Sequence, residues 1–250
     1  MITILIDSQK DTSFLRATYE GVVDNVVYIN PTRAEAENFL KEHPNERVML
    51  MGHGGPNGLF SHDWRGYIID RQNVHLLKDR EVIGIWCWAK HFGKREGLKG
   101  FFTSMFISNH GEYRSFFPTG VEHSEDEIFG EITKFSKEVA QLLRIKTPLS
   151  DWVNVLQSSA DYKKNFVKFN YEGLEYYDGT QNTSLNENVS ASTSTSYSAQ
   201  VEEMDEEDKM ASESFEVFRN YLSTDDMFNL TLEEIIEYAY TEGFKAGRAY

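Results

Sequence analysis

Val48-Met49-Leu50-Met51-Gly52-His53-Gly54-Gly55-Pro56 decides how this chain is read. Four apolar residues run without interruption into a glycine-rich stop. A strand with no polar alternation is buried on both faces, which is the habit of parallel sheets. Val82-Ile83-Gly84-Ile85-Trp86-Cys87 has the same form: an apolar run that ends on a chemically competent side chain. Working outward, Ile2–Ile6 is a first strand cut short by Asp7. Val22–Ile29 is a second, stopped by Asn30-Pro31, and Phe102–Ser108 is a fifth. Helical spacing falls between them. Phe14, Leu15 and Tyr19 share a face over Thr12–Glu20, and Thr32-Arg33-Ala34-Glu35 is a capping box opening a helix to about Glu42. Arg71–Leu77 and Lys90–Leu98 read as further helices. Leu59-Phe60 and Tyr67–Ile69 read as a small hairpin around Asp63-Trp64-Arg65-Gly66. The expectation is an α/β fold, a mostly parallel central sheet with helices on both faces.

Beyond the fifth strand, Ile128, Ile132, Phe135, Val139 and Leu142 form one stripe of a long helix over 124–143, and a second helix covers Asp151–Ser159. Phe166–Tyr171 and Leu174–Tyr177 read as a hairpin joined through Glu172-Gly173. Composition then changes. Residues 1–177 carry 24 acidic and 21 basic side chains, whereas 178–250 carry 16 and 4, which leaves most of the net charge of -15 in the last third. Residues 178–212 are rich in Ser and Thr and then acidic, so they read as a disordered linker. Residues 213–250 resume apolar spacing and read as a short helical tail after the α/β domain of 1–177. This acidity argues against nucleic acid or an anionic membrane as partner, and fits a protein partner bound through the acidic tail.

No run of 18 apolar residues exists, and Met1–Asp7 lacks a basic leader, so no membrane span or secretion signal is expected and the cytoplasm is the expected location. Cys87 is the single cysteine, which excludes an internal disulfide framework. His53, His62, Asp63, His75, Cys87 and His91 show none of the short spacings of a zinc site, so neither metal nor cofactor is expected. Cys87 and Arg95 are too far apart for a phosphatase cradle, and no Gly-x-Ser-x-Gly elbow occurs. His43, His110 and His123 read as solvated surface, and Asn109-His110-Gly111-Glu112 as a candidate pocket wall in a loop.

His53 and Cys87 both stand just past the carboxyl end of a buried strand, where open α/β sheets bind ligands. A thiol beside an imidazole is a nucleophile–base pair, because thiolate is the reactive species and His can take its proton. Gly52, Gly54 and Gly55 let backbone approach a substrate closely. The amides of Gly54 and Cys87 are then candidate oxyanion donors. A lone free cysteine is also a residue that cores bury as a small hydrophobe.

Taken in order, Val48-Met49-Leu50-Met51-Gly52-His53-Gly54-Gly55 followed by Val82-Ile83-Gly84-Ile85-Trp86-Cys87-Trp88-Ala89 resembles the caspase-like cysteine peptidases. In that family an apolar strand ends in His-Gly and the next core strand ends in the catalytic Cys. Gly93, Gly97-Leu98, Gly100 and Phe102–Ser108 continue the likeness. It covers about residues 1–110 well, 111–177 loosely and the remainder not at all. Ile85-Trp86-Cys87-Trp88 sets the chain nearer to divergent bacterial members, the gingipain, clostripain and CHAT types, than to animal caspases. The resemblance implies a caspase-like fold and a cysteine endopeptidase acting on a protein or peptide. Cys87 would be its nucleophile and His53 its proton carrier; the shared position of the two at parallel strand ends leads to the expectation of a low-pKa, solvent-accessible thiol near His53. The resemblance also implies a P1 pocket at the end of the first strand, where Asp7 would favour a basic P1 residue. The alternative is a catalytically inert caspase-like scaffold or binding module. A third reading is a hydrolase or transferase using the same dyad on a small thioester or amide.

Overall fold

The computed structural model describes residues 1–7 and 12–179. Six strands form the central sheet: β1 (Ile2–Leu5), β2 (Val26–Ile29), β3 (Val48–Met51), β7 (Glu81–Ile85), β8 (Lys99–Phe102) and β9 (Glu175–Asp178), in the order β2-β1-β3-β7-β8-β9. The first five are mutually parallel and β9 is antiparallel to β8. Between β3 and β7 the chain builds a second, antiparallel sheet from β4 (Gly54–Gly55), β5 (Gly58–Phe60) and β6 (Tyr67–Ile69).

Apolar side chains cover both faces of the central sheet. Alternation along the strands sends Leu5, Met51 and Ile85 to one face and Ile4, Leu50 and Trp86 to the other. On the first face lie the 3-10 helix Ser13–Tyr19, α3 (His110–Phe116), α4 (Glu125–Arg144), α5 (Leu149–Ser159) and α6 (Asn165–Glu172). The α4 stripe of Ile128, Ile132, Phe135, Val139 and Leu142 is buried there as its spacing requires. On the second face lie α1 (Arg33–Glu42) and α2 (Ala89–Arg95), through Ala36, Leu40, Ala89 and Phe92. Thr32 caps α1 with both arms of the capping box. Arg33 from α1 forks onto Asp70 at 2.6 and 2.8 Å, tying the small sheet to that face.

Several expectations need correction. The second strand starts at Val26, not Val22, because left-handed turns at Gly21 and Asp24 precede it. The segments Thr12–Glu20 and Arg71–Leu77 are 3-10 helix, over Ser13–Tyr19 and Val74–Leu77. The fifth strand lies upstream of its expected place and contains Gly100, which reads in sequence as a break. A Cβ at Gly100 would collide with the Val82 carbonyl, so close strand approach demands glycine inside the strand. Phe166–Tyr171 is helical. Phe166, Val167, Asn170 and Tyr171 are buried along one helical face, and Asn170 clamps the Ile107 N–H and C=O at 2.7 and 2.9 Å. His123 is buried rather than solvated: its Nδ1 is 2.9 Å from Glu127, and its ring packs edge-on against Tyr113 and Phe166. No helix among the described residues is long and apolar enough to cross a membrane. From residue 180 onward the expected linker and helical tail lie outside the described residues.

Candidate active site

Register brings the candidate residues to one row. Leu5 pairs with Met51, and Met51 with Ile85, at the carboxyl ends of three neighbouring parallel strands. The ladder runs one step further, through Ile6 N–H to Met51 O at 2.8 Å and Gly52 N–H to Ile85 O at 3.2 Å. The next position on each strand is Asp7, His53 or Cys87. β3 and β7 are paired neighbours, and His53 and Cys87 each stand two residues past the last paired position of these strands, at the edge where open α/β sheets bind ligands.

The two tryptophans do not seal the thiol together. Trp86 points to the opposite face, where its ring centroid lies 5.9 Å from that of Phe92 and its Nε1–H donates to Gly55 O at 3.2 Å. Trp88 takes a left-handed conformation at the start of α2, its ring centroid 5.2 Å from that of His91. Cys87 is half-buried, with its Sγ 4.0 Å from the Phe106 carbonyl. The thiol pKa is raised, not low as its place in the fold suggests. Loss of hydration around the sulfur, and then the negative charge of Glu112, push Cys87 up to about 12, against smaller opposing hydrogen bonds from the main chain of Phe106 and Cys87. The thiol therefore rests protonated at neutral pH.

Glu112 arrives on α3, which forms where the sequence reads as loop. Asn109 caps it by accepting the Glu112 N–H at 2.8 Å. The Glu112 carboxylate turns back to accept the Ser108 N–H at 2.6 Å and its hydroxyl at 2.9 Å, and is 5% exposed. Asn109-x-x-Glu112 is the signal that could have located this helix start.

His53 is half-buried and leans on Trp64, with ring centroids 4.9 Å apart. Trp64 sits in the turn between β5 and β6 at φ 60°, its ring tilted against Phe60 with centroids 5.4 Å apart. The small sheet thus supports the imidazole, a role for Trp64 that the sequence pattern does not reveal. Gly54 pairs with Leu59 while Phe60 N–H donates to His53 O at 2.9 Å. That makes Gly54–Leu59 a non-hydrogen-bonded pair, so the Gly54 N–H points away from β5. A Cβ at Gly54 would run into the Trp86 indole, which is why this turn takes glycine.

Asp7 ends the row at 2% exposure. It accepts from Thr12 Oγ1 at 3.3 Å and from Arg16 Nε at 2.8 Å, and Arg16 Nη2 approaches the same oxygen. Its main chain is held by the Asn30 side chain at 2.7 and 3.1 Å. The carboxylate expected to face a substrate is thus matched to a cation from its own chain. Beside Arg16, a cavity of about 430 Å³ opens between the Ser13–Tyr19 helix and α4, lined by Phe14, Tyr19, Phe129 and Thr133, and it includes neither His53 nor Cys87. Among the described residues no group of three or more His, Cys, Asp or Glu could hold a metal ion. A scan of protein-family models finds no match to this chain, and no curated protein sequence matches it.

Proposed function

We propose that this chain is a caspase-like cysteine endopeptidase whose dyad is His53 and Cys87. The observation that carries the reading is their shared row past the ends of β3 and β7, adjacent core strands despite the small sheet inserted between them. Because the thiol rests protonated, His53 acts as general base during attack instead of holding a preformed ion pair. The sulfur adds to the scissile carbonyl as its proton passes to the imidazole. Gly54 and Cys87 N–H groups receive the oxyanion. Collapse breaks the C–N bond, and the imidazolium protonates the departing amine. Water, deprotonated by His53, then hydrolyses the thioester and restores the thiol. Asp7 at the same edge favours a basic P1 residue by charge. Hydrolysis of a fluorogenic peptide series with Arg, Lys, Asp, Asn and Leu at P1 tests this. Cleavage after Arg or Lys, lost in Cys87→Ala, supports it, and no cleavage of any member contradicts it.

The inert scaffold is the second reading, favoured by the raised thiol and its approach to the Phe106 carbonyl. It expects Cys87 to resist every peptidyl electrophile. On either reading, a protein partner would bind through the acidic C-terminal segment.

A further inference from the structure

We infer that the outer edge of β2 is a dimerisation surface, on which a second copy of this chain adds its own β2 antiparallel and joins the two central sheets. β2 ends the strand order, so one side of its main chain meets no strand among the described residues. Val26 and Asn30 turn their N–H groups inward, to Met1 O at 3.1 Å and Leu5 O at 2.9 Å. Alternation therefore turns the N–H and C=O of Val27 and Ile29 outward. The strand is also unguarded. Sheet edges are commonly protected by charged side chains or proline within the strand, and Val26-Val27-Tyr28-Ile29 has neither. Val26 is 49% and Ile29 44% exposed, and Val23 just before them is 76% exposed, which gathers apolar surface at this edge. The opposite edge differs. β9 begins on Glu175 and ends on Asp178, which a symmetric antiparallel pairing would set against each other as like charges.

A second copy is the occupant that these groups fit. Outward residues at 27 and 29 are self-complementary about a two-fold axis through Tyr28. Val27 of each copy then faces Ile29 of the other, and each pair exchanges both of its main-chain hydrogen bonds. Both residues are β-branched, which suits cross-strand packing. An axis at Ile29 would set Val27 against Pro31, which has no N–H, and an axis at Val27 would set Ile29 against Asn25, next to the left-handed Asp24. Charge agrees with the antiparallel sense. It brings the Asp24 turn of one copy toward the start of α1 in the other, a carboxylate toward Arg33 and a helix N-terminus. The two rows of His53 and Cys87 then lie at opposite ends of the joined sheet, so the inference stands apart from the peptidase reading.

Sedimentation velocity of the full chain over a dilution series, with hydrogen exchange at residues 26–29, tests this. The chain should pass from 28.9 kDa to twice that mass on concentration, with the Val27 and Ile29 amides protected in the dimer alone. Ile29→Lys, at an exposed position, should raise the dimer Kd at least about tenfold. Adding Val27→Glu should restore the dimer, because the register sets the new carboxylate against the new ammonium. If thermal melting shows the double variant unfolded, Ile29→Lys and the exchange data carry the test. A chain that stays monomeric at every concentration, a dimer that Ile29→Lys leaves intact, or a folded double variant that stays monomeric overturns the inference. So does protection of Val27 and Ile29 in the monomer, which would assign this edge to a segment of the same chain.

Discussion

Asp7 and Cys87 occupy equivalent places, each two residues beyond the last paired position of its strand, yet the chain treats them oppositely. Asp7 receives a guanidinium and a hydroxyl, donors that a carboxylate accepts. Cys87 receives lost hydration and a nearby carboxylate, the environment of a thiol that stays neutral. The difference teaches that strand register alone sets position, while the loops that follow set charge. The 12–19 segment supplies the cation at one end of the row. The 103–112 segment supplies the Phe106 carbonyl and Glu112 at the other.

The contrast is broken most severely at the dyad. Cys87→Ala should abolish peptide hydrolysis, and His53→Ala should lower kcat/KM by about 10²–10⁴, the usual worth of positioned acid–base catalysis. Equal activity in His53→Ala, measured on the best P1 substrate, would remove His53 from the mechanism. A smaller effect is expected where Glu112 holds the thiol neutral. Glu112→Gln removes the charge and keeps an acceptor for the Ser108 N–H. Cys87 should then alkylate with iodoacetamide about tenfold faster at pH 8, corresponding to roughly one unit of pKa. An unchanged rate–pH profile would show that hydration loss alone raises the thiol. At the other end, Asp7→Asn should shrink the preference for Arg over Leu at P1 severalfold, and an unchanged ratio separates Asp7 from specificity.

The smallest effect is on stability. The folded chain keeps the Cys87 proton up to about 12, whereas an unfolded thiol ionises near about 8.5. Above about 8.5 the unfolded state binds fewer protons than the folded one, so stability falls as pH rises through that window. Cys87→Ser should flatten that part of a denaturation-versus-pH curve, and an identical slope would contradict the raised thiol.

What was legible in the sequence follows the strength of local pattern. Val48–Met51 and the Ile128-to-Leu142 stripe are long enough in one period to fix their elements, and Thr32 marked its helix by cap chemistry. The row of Asp7, His53 and Cys87 was legible because each residue ends an apolar run. Elements set by long-range contacts were not. Gly100 is a strand residue because Val82 approaches it, and α6 is held by the Asn170 clamp on Ile107, 63 residues away. Glu112 and Arg16 act on the site from segments whose local sequence states nothing about the strands they meet. The thiol's protonation differs from its expectation for that reason: strand order states where Cys87 stands, but tertiary packing adds Glu112 and withdraws water.

The central claim is that the row assembles a working nucleophile from a resting thiol, with His53 taking its proton. Peptidyl acyloxymethyl ketones with Arg at P1, incubated with the full chain and followed by intact-protein and peptide mass spectrometry, test this most directly. The account predicts a single covalent adduct on Cys87, formed at least about a hundredfold more slowly in His53→Ala. No adduct on Cys87, or labelling at the same rate without His53, would contradict it.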